Sequence, residues 1–162
     1  MDLPSAAAYR KAMTGNNEAN DAAALIAAAR EAAANAWAPY SNFSVGAALL
    51  MSDGSLITGA NVENSSYGLS LCAETVAVAK ASADGRMREV VAVGIVGGMT
   101  GKQGVEPILP CGRCRQVLNE AAQAGKRDLA VYCSGLTGGP ITEYTLSELL
   151  PHAFGPANLG IV

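Results

Sequence analysis

Three cysteines and one glutamate have the types and spacing needed for metal-assisted hydrolysis. Cys72 is followed two residues later by Glu74. A Cys-x-x-Cys pair, Cys111 and Cys114, comes later in the chain. Three thiolates on one Zn²⁺ leave the fourth tetrahedral position open for water, as in catalytic and not in closed structural sites. A carboxylate beside that position can carry the proton of the water, so the pattern predicts a catalytic zinc site with three thiolate ligands and Glu74 as the proton carrier.

Two predicted helices must bring these side chains together. The sequence predicts one helix over about 72–82 and another over about 111–124, each starting at a cysteine. Helix N-termini carry free N–H groups and a partial positive charge, which favours thiolate over thiol. Residues two apart on a helix face away from each other. Cys72 and Glu74 can therefore serve one site only if the metal lies over the end of the first helix.

The remaining pattern predicts one α/β domain over residues 21–162 after an N-terminal extension over 1–20, with a short helix over 5–13. A helix from residue 20 or 21 to about Trp37 should be ended by Pro39. A Gly-rich loop over 135–140 should precede a short helix near 146–150. Apolar runs bounded by turn residues predict strands over 43–51, 56–61, 89–97 and 129–133. This order implies a mixed sheet with helices on both faces.

Composition excludes several classes of protein. The net charge is −3, and the 11 Lys and Arg residues are scattered, so the chain lacks the basic surface of a polynucleotide-binding protein. No basic stretch leads into an apolar signal core, and no apolar run reaches membrane-spanning length. We therefore expect a cytoplasmic protein whose four cysteines form no disulfides and include the metal ligands.

The fourth cysteine and the charge of the site leave alternatives open. Cys133 could close a structural zinc site, although it lies in a predicted strand without a companion at Cys-x-x-Cys spacing. A buried core thiol is the interpretation that we favour for it. Three thiolates on Zn²⁺ carry a net charge of −1, which the helix termini, Arg113 or Arg115 could offset.

Five segments together resemble the small, homotetrameric class of cytidine deaminases. They are APYSNFSVGA (38–47), NVENSSY (61–67), CAE (72–74), PCGRCRQVL (110–118) and ELLPHAF (148–154). The resemblance covers roughly residues 22–155 and implies a three-layer α/β/α subunit with a central mixed five-stranded sheet. It also implies a tetramer with shared active sites and one Zn²⁺ per subunit. The implied reaction is hydrolytic deamination of cytidine and 2′-deoxycytidine with release of ammonia, as in pyrimidine salvage, without nucleic-acid or membrane partners.

The resemblance also implies roles for individual residues. It assigns zinc binding to Cys72, Cys111 and Cys114, and proton transfer to Glu74. Asn61 and Glu63 are implied to hydrogen-bond the ribose hydroxyls, chiefly the 3′-OH. Phe43 is implied to pack beside the base and Phe154 to reach it from another subunit. The backbone of Ala73 is implied to contact the pyrimidine edge, and Tyr67 to lie near the site at an intersubunit contact.

One position departs from the family pattern. Many members have Arg directly after Cys-Ala-Glu, where it helps to neutralise the thiolates, whereas residue 75 here is Thr. Arg113 is therefore the candidate for charge compensation. Rival hypotheses are a deaminase of nucleoside antibiotics such as blasticidin S, a polynucleotide-editing deaminase and a non-enzymatic zinc module. Glu63 argues against the first, because that class tends to lack it, and the acidic charge argues against the second.

Overall fold

The computed structural model describes residues 18–162, in which five strands form one mixed sheet. The strands are β1 (Phe43–Met51), β2 (Leu56–Ala60), β3 (Val90–Met99), β4 (Ala130–Gly135) and β5 (Thr142–Thr145). Their order across the sheet is β2-β1-β3-β4-β5. β3 and β4 run parallel, and every other neighbouring pair is antiparallel. The sheet is thus the mixed five-stranded sheet that the resemblance implied.

Helices cover both faces of this sheet. Within residues 18–162 the α-helices are α1 (Glu18–Ala33), α2 (Ala73–Ala83), α3 (Gly112–Ala124) and α4 (Leu146–Leu149). Short 3₁₀ segments in the same part of the chain are Tyr67–Leu69, Met87–Glu89 and Pro156–Leu159. α1 buries Leu25 and Ile26 against one face, and α2 and α3 bury Val78 and Leu118 against the other. The three-layer α/β/α prediction is confirmed.

The central strands are buried on both faces, and their side chains alternate between the two helical layers. In β1, Leu49 and Met51 pack in the core with α2 and α3, whereas Ala48 packs with α1. In β3, Ile95 likewise packs in the core with α2 and α3, whereas Val96 packs with α1. Successive strand residues point to opposite faces. A strand covered on both faces needs apolar residues at every position, which explains the continuous apolar run of β3.

α1 ends earlier than the sequence predicted. Its last residue is Ala33, whereas the prediction placed the end at about Trp37. The Trp37 backbone is paired elsewhere, since its N–H donates to the Asn61 carbonyl oxygen and its own carbonyl accepts from the Glu63 N–H. Pairing with an extended segment competes with a further helical turn. The prediction from Pro39 alone was therefore wrong by one turn.

β5 did not emerge from the residue pattern. Its sequence, Thr-Glu-Tyr-Thr, is mostly polar and half-buried or exposed. An edge strand has one neighbour and needs no apolar side chains on its outer side, so hydrophobic periodicity is a weak signal for it. The helix predicted near 146–150 is present as α4. It begins at a capping box in which the Thr145 hydroxyl accepts from the Glu148 N–H.

Two further predictions concern the N-terminal segment and membrane-spanning helices. The described part of α1 starts at Glu18, and the short helix predicted over 5–13 lies outside the described residues. No helix among residues 18–162 combines the length and hydropathy that crossing a bilayer requires.

α2 lies so close to β2 that only glycine fits at position 59. A Cβ on Gly59 would come within 2.5 Å of the Ala73 carbonyl oxygen and 2.6 Å of the Ala77 nitrogen. Both are backbone atoms of α2, so relief of the clash moves the helix that follows Cys72. We expect Gly59→Ala to lower the free energy of unfolding by about 1–3 kcal/mol and to weaken metal binding, measured by urea denaturation and chelator competition.

Gly104→Ala is the matched control for this prediction. A Cβ there would make only ordinary contacts of 3.5 Å or more, so stability and metal affinity should stay close to those of the wild type. Equal stability of the two variants would show that α2 can shift without strain and would contradict the prediction.

Candidate metal centre and substrate cleft

Two helix starts on the same face of the sheet carry the predicted ligands. Cys72 is the N-cap of α2 and Cys111 is the N-cap of α3, and both have extended backbone conformations. Cys114 lies in the first turn of α3 and is fully buried. The two N-termini point their free N–H groups toward the same region, which favours negatively charged sulfur.

The three sulfur atoms lie at the spacing that zinc requires. All three lie within 4.8 Å of one another, and the Cys72 and Cys111 sulfurs are 3.9 Å apart. Zn–S bonds of about 2.3 Å in a tetrahedron place two sulfurs about 3.8 Å apart. The donor set is soft and suits zinc. The residues present therefore fit the ion.

Cys133 does not join this group. Among the described residues the close cluster consists of Cys72, Cys111 and Cys114, whereas Cys133 is 0% exposed and packs in the core with Leu118 and Val131. Burial raises the pKa of its thiol to about 12, so it stays protonated at neutral pH. This geometry supports the interpretation of Cys133 as a core thiol.

The close thiols influence one another's protonation. Hydrogen bonding with the Cys114 thiol lowers the pKa of Cys72 to about 6. The same contact, together with burial, raises the pKa of Cys114. One sulfur is therefore ready to bind metal near neutral pH, and metal binding would displace the remaining protons.

Glu74 lies beside the thiols, at the second position of α2. Its side chain is only 3% exposed, and burial raises the pKa of its carboxyl group. Two residues that are two apart within a helix would face away from each other. Cys72 and Glu74 avoid this because Cys72 precedes α2 in an extended conformation. A metal bound by Cys72 would therefore lie beyond the start of α2, on the side where Glu74 can approach it.

A cleft of about 250 Å³ opens in front of these groups. Its lining residues are Val45, Asn61, Glu63, Ser70, Leu71, Cys72, Glu74, Ile108, Leu109 and Cys111. Apolar walls thus enclose two carboxylates and two of the thiols, and neither Lys nor Arg is among these lining residues. A larger depression of about 460 Å³ surrounds His152, but none of the cysteines lines it.

Two cations flank the cluster, and they differ in their contacts. The Arg113 guanidinium donates to the Ser70 carbonyl oxygen at 3.4 Å and contributes to lowering the pKa of Cys72 after the thiol contacts. Arg115 instead donates to the carbonyl oxygens of Pro110 and Leu149. Arg113 therefore stays the candidate for charge compensation. Arg115 links α3 to the segment before it and to α4.

Thr75 is a neighbour of the cluster whose role sequence reasoning missed. Its hydroxyl oxygen lies 3.8 Å from the Cys114 sulfur, within hydrogen-bonding range for sulfur. The signal was present in the spacing, because Thr75 is three residues after Cys72 and so lies in the first turn of α2.

Asn61 and Glu63 line the cleft from the segment after β2. Asn61 hydrogen-bonds to β1, and Glu63 hydrogen-bonds to the loop that precedes β1. The Asn61 side chain accepts from the Val45 N–H at 2.8 Å and donates to the Phe43 carbonyl oxygen at 3.0 Å. The Glu63 carboxylate accepts from the backbone and hydroxyl of Ser41. Hydrogen bonding from that hydroxyl lowers the pKa of Glu63. Both side chains keep further hydrogen-bonding capacity for a ligand.

The remaining predicted contact residues lie at different distances from the cleft. Phe43 begins β1, and its ring and the Ile108 side chain both lie over Gly97, so Phe43 borders the cleft wall. Tyr67 is 74% exposed and lines an adjoining depression that also includes Glu63. Ala73 is the first residue of α2, where the helix itself supplies no acceptor for the backbone N–H.

Phe154 does not reach the cleft within a single chain. Its side chain is 63% exposed, and its carbonyl oxygen accepts from the Gln116 and Asn119 side chains. The role of Phe154 at the site of another subunit stays a prediction. The apolar wall residues Leu71 and Ile108, by contrast, are at the cleft but carry no chemical signature that a sequence pattern could reveal.

Comparisons with known proteins cover the same residues. The model of the cytidine and deoxycytidylate deaminase zinc-binding region matches residues 19–128. The chain is 52% identical over 130 residues to a cytidine deaminase of Halalkalibacterium halodurans, covering 80% of this chain and 91% of that protein. It is 45% identical over 127 residues to one of Mycobacterium tuberculosis, covering 78% and 84%. The crystal structure of Burkholderia pseudomallei cytidine deaminase is similar with a TM-score of 0.71 at 46% identity, covering 82% of this chain and 98% of that chain.

Proposed function

Because this chain belongs to the cytidine and deoxycytidylate deaminase zinc-binding family, we propose that it catalyses hydrolytic deamination of cytidine and 2′-deoxycytidine. The products are uridine, 2′-deoxyuridine and ammonia, as in pyrimidine salvage. The observation that carries the proposal is the buried Glu74 carboxyl in a cleft beside three converging thiols.

In this proposal Cys72, Cys111 and Cys114 hold one zinc ion per chain. Three protein ligands would leave one coordination position for water, as catalytic zinc sites require. When bound, zinc acts as the Lewis acid that acidifies the attacking water. The helix N-termini and Arg113 favour the thiolate forms of the ligands, and Thr75 is placed to donate to the Cys114 sulfur.

Glu74 moves the protons of the reaction. It takes a proton from the water that attacks C4 of the base and delivers it to N3. The hydroxyl now on C4 gives its proton to Glu74, which passes it to the amine on C4. The C4–N bond then breaks, ammonia leaves and the C4 oxygen becomes the carbonyl of uridine. The raised pKa of Glu74 suits this exchange, because a carboxyl that titrates nearer to neutral pH both accepts and returns a proton readily.

The cleft suits an uncharged nucleoside. Leu71 and Ile108 provide apolar surface for a pyrimidine ring, with Phe43 at the border. Asn61 and Glu63 are proposed to bind the ribose hydroxyls, and the backbone of Ala73 the edge of the base. A lining with two carboxylates and no cation disfavours a phosphorylated substrate. This supports nucleosides over nucleotides and over nucleic acid.

We further propose a homotetramer with shared active sites. Tyr67 and Phe154 are large aromatic side chains that are mostly exposed in the single chain, which is typical of interface residues. A cytoplasmic location is proposed because the four cysteines are free thiols, as in a reducing compartment. Residues 21–162 are proposed to form one catalytic domain after the extension over 1–20.

An ultraviolet assay tests the proposed reaction. Zinc-loaded protein should convert cytidine to uridine, removal of zinc by a chelator should abolish turnover, and added zinc should restore it. Blasticidin S and single-stranded DNA serve as competing substrates under the same conditions. Turnover of either one without turnover of cytidine would contradict the proposal, as would cytidine turnover that survives complete removal of the metal.

A further inference from the structure

The loop between α1 and β1 is joined closely to the segment that carries Asn61 and Glu63. The Trp37 N–H donates to the Asn61 carbonyl oxygen, and the Glu63 N–H donates to the Trp37 carbonyl oxygen. Asn42 has a positive φ of 56°, so the loop turns sharply just before Phe43. The turn places the backbone of residues 40–41 directly against the Glu63 carboxylate.

Ser41 lies at the centre of these contacts. Its hydroxyl donates to one oxygen of Glu63 and accepts from the Phe43 N–H at 3.0 Å. Its backbone N–H donates at 3.2 Å to the other carboxylate oxygen, which also accepts from the Tyr40 N–H at 2.9 Å. One small side chain thus connects a carboxylate at the cleft with the first residue of β1.

We propose that Ser41 is a positioning residue that orients the Glu63 carboxylate toward the sugar of the substrate and fixes Phe43 beside the base. The proposal deepens the function proposed above and rests on it. Ser41 itself touches no reacting atom. It acts through the two side chains that its hydroxyl connects.

The physical reason is the rotamer freedom of a partly exposed carboxylate side chain. Glu63 is only half-buried, and a long side chain at such a site samples several rotamers unless hydrogen bonds select one. The donors from residues 40–41 use part of the acceptor capacity of Glu63 and leave the rest for a sugar hydroxyl. Loss of the Ser41 hydroxyl removes two hydrogen bonds at once. One is donated to a Glu63 carboxylate oxygen, and the other is accepted from the Phe43 N–H.

The test compares Ser41→Ala, Ser41→Thr, Glu63→Gln and the double variant Ser41→Ala/Glu63→Gln, with cytidine and 3′-deoxycytidine as substrates. Ser41→Ala should raise KM for cytidine by about tenfold, the effect of one hydrogen bond to a charged group, with a much smaller change in kcat. The increase should shrink with 3′-deoxycytidine, which lacks the hydroxyl assigned to Glu63. Ser41→Thr keeps the hydroxyl and should restore most of the affinity.

The double variant separates positioning from a general loss of structure. If Ser41 acts mainly through Glu63, Ser41→Ala should lower kcat/KM much less in the Glu63→Gln background than in the wild type, and only the part that passes through Phe43 should remain. Full additivity, equal losses on both nucleosides, or unfolding of Ser41→Ala would overturn the proposal. Ser82→Ala, at an exposed serine in the last turn of α2, is the control and should match wild type. A wild-type protein without cytidine turnover would refute the proposed function and this inference together, whereas normal turnover with an unchanged KM in Ser41→Ala refutes the inference alone.

Discussion

Glu74→Gln is expected to lower kcat/KM for cytidine by about 10²–10⁴-fold, the range typical of a general acid–base group. Glutamine has nearly the same shape but cannot take up or return a proton. The site is buried, and the wild-type carboxyl has a raised pKa because of that burial. The neutral amide is therefore tolerated, and stability should not fall. Steady-state kinetics, zinc content and thermal unfolding measure the three quantities.

Glu120→Gln is the matched control for this variant. Glu120 is an exposed carboxylate of α3, so its replacement should leave kcat/KM, zinc content and stability unchanged. A Glu74→Gln protein with activity within a few-fold of wild type would remove Glu74 from the reaction. A variant that loses its zinc would assign Glu74 to metal binding instead.

The parts of the fold that sequence predicted well are those that local chemistry determines. β1 was predicted with the bounds that the structure shows, because an apolar run meets a Ser-Asp-Gly-Ser turn after Met51. The Asp53 carboxylate accepts from the Ser55 N–H within that turn. Local hydrogen bonds and the apolar run agree there, so no distant contact was needed to place the strand.

Elements that depend on distant partners were harder to predict. The end of α1 is set by the pairing of Trp37 with residues 61–63, which lie far along the chain. β5 is a strand because β4 offers a free edge, not because its four residues prefer that conformation. A single sequence carries little information about such partners.

The candidate site shows the same division. Spacing of Cys72, Cys111 and Cys114 predicted a cluster, and the structure brings the thiols together. The contacts around that cluster depend on side-chain packing between elements, and neither the Thr75 hydroxyl near Cys114 nor the Ser41 contact with Glu63 was anticipated. Residue type identified the chemical groups, whereas the groups that orient them required the fold.

Replacement of single cysteines should separate the metal ligands from the core thiol. Cys114→Ala is expected to weaken zinc binding by more than the roughly 100-fold that changes around the ligands cause, because it removes one of three sulfurs within 4.8 Å. Zinc at 1,000 times the wild-type Kd stabilises the wild type by about 4 kcal/mol, and the same concentration should stabilise the variant by less than about 1.4 kcal/mol. Chelator competition and zinc-dependent thermal unfolding measure both effects.

Cys133→Ala is the decisive comparison, since Cys133 is as fully buried as Cys114. Removal of its sulfur leaves a small cavity in the core beside Val131 and should cost roughly 1 kcal/mol of stability. Its zinc affinity and its stabilisation by zinc should stay at wild-type levels. If Cys133→Ala instead loses zinc as completely as Cys114→Ala, all four thiols close the coordination sphere, no position is left for water, and hydrolysis at this site is excluded.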